Sequence, residues 1–579
     1  WLDNRFTLQR PLRVEFHSQL RWIPRDDLHT VSQSATFDAD PDSLGSPMAL
    51  LDTLLRGSAH SPLRRLALNS LWEDRRERYR YLLLNQRVHL SKHLAWGHDF
   101  FAYAEAQFCT FSHTDQRQQH YDYYRQQQPN DHRLVLNPED NRNLQLEAHA
   151  EYIVNLPKGW HALAYYNFRR TDEKSDKPYW TLDPLAAQEG EGGAGVLSAA
   201  NSIFTHYYND KHCLGPRFYF HKQDARRYLW FNVHLPMNWH HERESYLRVP
   251  VDTCVRQRVF TFTPDMTFIC QDHERHTYWL LNASRAVQTP DIVGKVGYRD
   301  AVNPLAVTIG NPHLKSAYTY HWKAQFQHSR PRHEQMLSLG LGGQTTHNAI
   351  TQATVYNPTT GSYTTQQQNI SGHWKTELST AFQRTLDTLR HWRVEQSLTL
   401  SYRHAPQYAA TAEHTVTGLL QTQKHAVSTF ALTEQFSLRY RLNDRFDVRP
   451  SLSLVYNHSD SDLPTFRLRN IYNLSYGLTL HWTLPLRIQL STDLNLYTTR
   501  GYDDQQMNRD CLVWNAQLTR SFFRGRLVAR LTAFDLLSQI SDLHHSHTDT
   551  GTISYWTLTL QRYVLLSLQW QLGKAPKQN

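Results

Sequence analysis

Strict alternation of apolar and polar side chains over runs of about ten residues constrains this chain more than any other feature, because only a β-strand sends successive side chains to opposite faces. In residues 318–327, Tyr318, Tyr320, Trp322, Ala324 and Phe326 share one face, and Thr319, His321, Lys323, Gln325 and Gln327 the other. Residues 473–482 repeat the pattern, with Leu474, Tyr476, Leu478, Leu480 and Trp482 set against Asn473, Ser475, Gly477, Thr479 and His481. It recurs at 144–156, 487–497, 512–519 and 526–533, and in a final run Leu566, Leu568, Trp570 and Leu572 oppose Ser567, Gln569 and Gln571.

A soluble β-sandwich alternates too, but its strands are usually about five to six residues long. The runs here approach the roughly 9–11 residues a strand needs to cross a bilayer. Their polar faces carry charged and amide groups throughout, as a wet lumen requires. Composition agrees: aromatics reach 12% of 579 residues, yet mean hydropathy is −0.64. A wall with one greasy and one wet side averages to such values. Trp160, Trp279, Trp482 and Trp556 fall near run ends, where interfacial girdles are expected. No run of 18 apolar residues occurs, so a transmembrane helix is not expected.

Connections alternate in length. Tight ones fall at Leu156–Gly159, Asn443-Asp444, Leu484-Pro485 and Arg524-Gly525. Long polar stretches lie at about 114–143, 171–225, 286–315, 404–428, 498–508 and 538–553. Short turns on one side and long loops on the other are the habit of outer-membrane barrels. The expected fold is therefore all-β: one large antiparallel transmembrane barrel over residues 1–579, of roughly 18–22 strands. Residues 1–75 hold the first strands and an outer loop, in which Ser46–Arg56 reads as a short serine-capped helix. Residues 573–579 form a polar tail.

Three motifs carry a family resemblance over about 290–572. The first is Asn303-Pro304-Leu305 followed by Gly310-Asn311-Pro312-His313-Leu314-Lys315. The second runs from Ser521-Phe522-Phe523-Arg524-Gly525-Arg526-Leu527 to Phe534-Asp535-Leu536-Leu537-Ser538, and the third is Arg562-Tyr563-Val564-Leu565-Leu566-Ser567. Together they resemble the barrel of TonB-dependent receptor-like outer-membrane proteins of the Bacteroidetes type: an "NPL…GNPxLK" signature, the penultimate hairpin and the closing strand. Leu572 stands where that family commonly closes on an aromatic. Physically, Gly310 and Pro312 are expected to bracket the turn from loop into strand, Arg524-Gly525 a tight hairpin, and Asp535 a cap or pair at the rim. These residues are read as shaping the barrel and not as touching cargo.

The resemblance implies a Gram-negative outer-membrane location and uptake of a bulky nutrient: a metal chelate, glycan or peptide. It also implies a plug domain and TonB-contacting segment; nothing like either is visible here, and both are expected upstream of Trp1. A surface lipoprotein is a further implied partner. The rival readings are a non-transporting surface scaffold barrel and, lower, a soluble all-β carbohydrate-binding or enzymatic protein. Detergent-free solubility would favour the last.

No enzyme, cofactor or resident metal is expected. Glu189–Gly195 is glycine-rich but lacks the Lys-Ser/Thr of a phosphate loop. His544, His545 and His547, and His458 with Asp460 and Asp462, are the nearest approaches to metal sets; solvated loops explain both. The five cysteines, Cys109, Cys213, Cys254, Cys270 and Cys511, form no CxxC pair and indicate neither a zinc ribbon nor a disulfide framework. The formal charge of +9 is spread along the chain, which argues against nucleic-acid binding and fits a basic lumen or loops facing outer-membrane lipid and lipopolysaccharide.

Overall fold

The computed structural model describes residues 2–8, 12–38, 47–56, 63–94, 97–125, 129–182, 195–410, 415–416, 419–420, 422–462, 468–502, 508–540, 543–548, 551–556 and 562–570. Alternation becomes a single 29-stranded sheet. Six of those strands belong to the connections, and two pairs are halves of one interrupted strand, which leaves twenty-one wall strands among the described residues. Successive wall strands pair antiparallel, from Leu2–Leu8 on Arg13–Phe37 to Leu527–Phe534 on Tyr563–Trp570. The sheet curls into a barrel: Asn69, on the third strand, donates to the Thr360 carbonyl at 2.6 Å, in the connection between the twelfth and thirteenth.

The two faces divide as the alternation demands. Tyr320, Trp322, Tyr476, Leu478 and Trp482 are each more than 40% exposed, on the face that meets lipid. Trp160, Trp279 and Trp482 stand on that face near the short-turn end, as an interfacial girdle. The side chain of Trp556, Leu572 and the tail 573–579 lie outside the described residues. A polar pair interrupts the outer face, where the Gln396 amide donates to both Glu434 oxygens at 2.9 and 3.0 Å. Each partner satisfies the other where no water reaches.

At one rim the strands are joined by tight turns. Pro157–Gly159, Pro331–His333, Pro485–Arg487 and Phe523–Gly525 are one-turn 3-10 connections. Three open on proline, whose fixed φ suits the first helical position. Each reverses through a left-handed residue, such as Lys158 (φ 63°) or Leu486 (φ 65°). The opposite rim carries the long connections.

The strands run further toward that rim than the polar stretches at 114–143, 171–225 and 404–428 led us to expect. Arg13–Phe37, Ala67–His93, Asp99–Tyr123 and Asp131–Asn155 have 25 to 27 residues each. Only residues 124–130 of the first stretch form a connection, and strands Trp160–Lys177 and Ile203–Gln223 take both ends of the second. The reason is physical. Beyond the lipid both faces are wet, so apolar–polar contrast disappears while the hydrogen-bonded ladder continues. The helix at Pro47–Arg56 forms, with Ser46 outside the described residues, and buries Leu50 and Leu54 against Leu63 and Ala67.

Candidate functional site

The inner face builds a polar lumen. Glu147 is held by Asn167 and Arg169, each at 2.8 Å, and by the Tyr103 hydroxyl. His149, Lys211 and His240 join Glu147 and Arg169 around a wall cavity of about 470 Å³. Four adjacent strands supply these groups because every second residue points inward.

Two connections fold back into the mouth above. Residues 289–316 bury Ile292, Val296 and Leu314 at 1–3% exposure. The hairpin Ala349–Asn357/Ser362–Ile370 lies against them, its second arm pairing parallel with Ala306–Ile309. Gln366, fully buried, ties the layer together: its amide donates to the Gly310 carbonyl at 3.0 Å, and its oxygen accepts from the Leu420 amide at 2.9 Å. A Cβ at Gly310 would stand 1.7 Å from the Val296 carbonyl oxygen, so this close approach demands glycine.

The layer is anchored to three strands of the wall. Arg248 donates to the Asp300 carboxylate at 2.9 Å and Arg133 to the Val302 carbonyl at 3.0 Å, while Asn69 holds the hairpin tip at Thr360. Glu244, only 2% exposed, lies on the inner wall beside the folded-in segment, with one carboxylate oxygen unpartnered. It stands above the lipid boundary, since the outward residues beside it are Arg243 and Ser245. Burial, then the charges of Asp291 and Glu173, push its carboxyl up to about 7.

Further round the upper wall, Glu77, His113 and Asp115 bring ligand-type atoms within 4.8 Å of one another. Arg75 bridges Asp115 and Glu77 at 2.9 and 2.8 Å, and Arg117 holds Asp115 from the other side. Burial raises the Asp115 carboxyl, but the hydrogen bonds from Arg75 and Arg117 outweigh it and hold it below the usual carboxylate range. Two guanidiniums already balance the two carboxylates, so the cluster is a closed ion network.

The motif residues do not converge on one place. Asn303, Pro304, Gly310, Asn311, Pro312, Leu314 and Lys315 all lie in the mouth layer, and the strand they were expected to enter begins only at Ala317. The Asn303 oxygen accepts from the Leu305 amide, Asn311 donates to the Gln367 carbonyl, and the Lys315 backbone both donates to and accepts from the Asn369 side-chain amide. Phe522 and Phe523 sit at the tight-turn rim, where Phe523 meets Trp570 at 5.9 Å. Asp535 is fully buried at the opposite end and accepts from the Gln539 and Ile540 amides; Leu536 bonds the Trp514 carbonyl. Leu537 and Arg562 are exposed, and Tyr563 stacks on Phe534 at 5.3 Å.

His458 bonds Asn470, whereas Asp462 takes the Ala426 amide and Asp460 the Ser461 amide, so those three do not form a ligand set. Residues 189–194 and the side chains of His544, His545 and His547 lie outside the described residues. Sequence reasoning missed Arg133, Glu244, Arg248 and Gln366. Only Arg248 and Glu244 had a signal: charged residues at inward positions of an alternating run.

A family model for an "Outer membrane protein beta-barrel family" matches residues 251–442. Among solved structures, the siderophore receptor PirA from Pseudomonas aeruginosa is 11% identical, with 82% of this chain and 76% of that one covered at a TM-score of 0.35. The outer-membrane transporter YddB from Escherichia coli is 7% identical over 96% and 75% at 0.39. BauA, the ferric preacinetobactin receptor from Acinetobacter baumannii, is 8% identical over 96% and 84% at 0.37. These structural likenesses bear on neither ligand nor mechanism. No curated protein matches. The chain is an outer-membrane β-barrel, as its two-faced wall and the family match on its middle strands require.

Proposed function

We propose that this barrel is the wall of a TonB-dependent uptake receptor of the Bacteroidetes type, for a bulky nutrient such as a metal chelate, glycan or peptide. The observation that carries the reading is the mouth layer: two connections folded over a polar lumen and tied to the wall at Asn69, Arg133 and Arg248. A passive scaffold needs no such cover. A receptor gains from one, because solute that loosens the layer is admitted while small leaks are refused. Outer connections bind the solute in this reading. An upstream plug coupled to TonB supplies energy, and a surface lipoprotein is an accessory partner. No step calls for a catalytic group.

The test compares cells lacking the protein with complemented cells. Growth is made to depend on a ferric chelate, a copper chelate, an oligosaccharide or an oligopeptide, each with and without a protonophore. The expected result is a growth advantage of the complemented cells on one of these, abolished by the protonophore. Equal growth of both strains on all four would overturn uptake and leave the scaffold reading.

A further inference from the structure

Above the aromatic pair Trp239–Phe260, whose rings are 5.4 Å apart on the outer face, the wall presents four cationic-type side chains in a block. His241 stands directly opposite Arg258, and Arg243 directly opposite Arg256. All four are exposed. Like charges facing each other across strands are destabilising, and proteins normally interpose a carboxylate. Here none is available. Asp210, across the other strand from His241, is taken by Arg170 at 2.8 and 2.9 Å and by the Tyr208 hydroxyl. Asp252, the next carboxylate along, stands opposite Leu247. Arg243 donates instead to the Cys254 sulfur at 3.3 Å, a weak acceptor. Among the described residues no ion pair joins Arg243, Arg256 or Arg258 to an acid.

The height of the block identifies its complement. Trp239 and Phe260, 38% and 53% exposed, mark the edge of the hydrocarbon on the side of the long connections, because aromatic girdles sit at that boundary. The groups one turn of the pleat higher face the headgroup layer of the outer leaflet. Guanidinium forks spaced on neighbouring strands suit a phosphate, which takes two parallel N–H···O bonds from each fork. We propose that His241, Arg243, Arg256 and Arg258 form a binding site for the phosphate of an outer-leaflet glycolipid, lipopolysaccharide held at the barrel's flank through its lipid A phosphates. The acyl chains then lie on Trp239 and Phe260 below.

The test uses the purified full chain in nonionic detergent, with native mass spectrometry reading bound lipid. Bisphosphorylated lipid A, dephosphorylated lipid A and inorganic phosphate are the probes. Wild type is expected to retain the bisphosphorylated lipid about tenfold more tightly than R243Q/R256Q, and R226Q/R441Q at the tight-turn rim to behave as wild type. R243K/R256K, which keeps the charge, is expected to retain most of the binding. Heat-modifiable gel mobility checks folding. Removing the facing charges is also expected to raise the melting temperature in lipid-free detergent while abolishing the extra stabilisation by lipid A. Equal retention of phosphorylated and dephosphorylated lipid, or of wild type and R243Q/R256Q, overturns the proposal. Displacement of the lipid by equimolar inorganic phosphate overturns it as well, as it would make this a free-anion site.

Discussion

Arg248 and Asp300 meet at 2.9 Å where the inner wall touches the connection folded into the mouth, and the arginine side chain is only 4% exposed. Its second anchor, the Ala200 carbonyl at 2.8 Å, belongs to another connection. One guanidinium thus fastens two loops to one strand. Asp300→Asn keeps the shape and removes the charge, which leaves Arg248 buried beside a neutral amide. The expected cost is about 1–3 kcal/mol of local stability, read as faster hydrogen exchange in residues 296–302 with the barrel's melting temperature unchanged. Unchanged exchange would mean the ion pair does not hold the layer.

Gln366 is the hub of the mouth. Gln366→Leu strips the Gly310 carbonyl and the Leu420 amide of their partner in a buried setting. Each orphaned group is expected to cost about 1–3 kcal/mol. The purified variant in a planar bilayer should then show channel openings more often than wild type.

Gly310→Ala drives a methyl group into the Val296 carbonyl oxygen. The backbone must move, so the same bilayer recording should show the same direction of change. Gly342→Ala serves as the control, since the nearest atom to its added Cβ is 3.5 Å away.

The Glu244 carboxyl is expected to make the mouth pH-sensitive. Its folded pKa, about 7, lies above the ordinary glutamate value of 4.5. The folded layer therefore binds this proton more tightly than the open state does. The contribution is fully present below about pH 4.5 and is lost as pH rises through about 7. Protection of residues 289–296 from hydrogen exchange should fall across that window in wild type and stay level in Glu244→Gln.

The wall has its own test. Leu478→Arg puts a charge into lipid and should cost roughly 2–4 kcal/mol in a folding titration. Thr479→Arg points into the lumen, opposite Asp493, and should be nearly neutral. Equal costs would contradict the assignment of faces.

The lipid-spanning halves of the strands were legible because one face must be apolar there. Tyr320 and Trp322 announce themselves by period two. The upper halves were not, because Arg75, Glu77 and Asp115 line the inside while Asp74 and Arg76 line the outside, and no contrast is left to read. The mouth layer was hidden for another reason. Asn303 makes only a local bond to the Leu305 amide, Gly310 acts through close backbone approach to Val296, and Asn311 donates to the Gln367 carbonyl more than fifty residues away. Gln366 sits in a run of three glutamines with nothing local to set it apart. Turn chemistry could be inferred at these positions; the fold of the connection over the lumen could not.

Strands of 25 residues set how far the wall reaches from the membrane. At ~3.3 Å per residue and the customary tilt they climb to roughly 60 Å, about twice the hydrocarbon thickness. One side of the barrel is therefore a parapet standing some way clear of the bilayer. In the uptake reading proposed above, encounter is displaced outward from the bilayer, and passage is left to a second, deeper stage with its own polar lining.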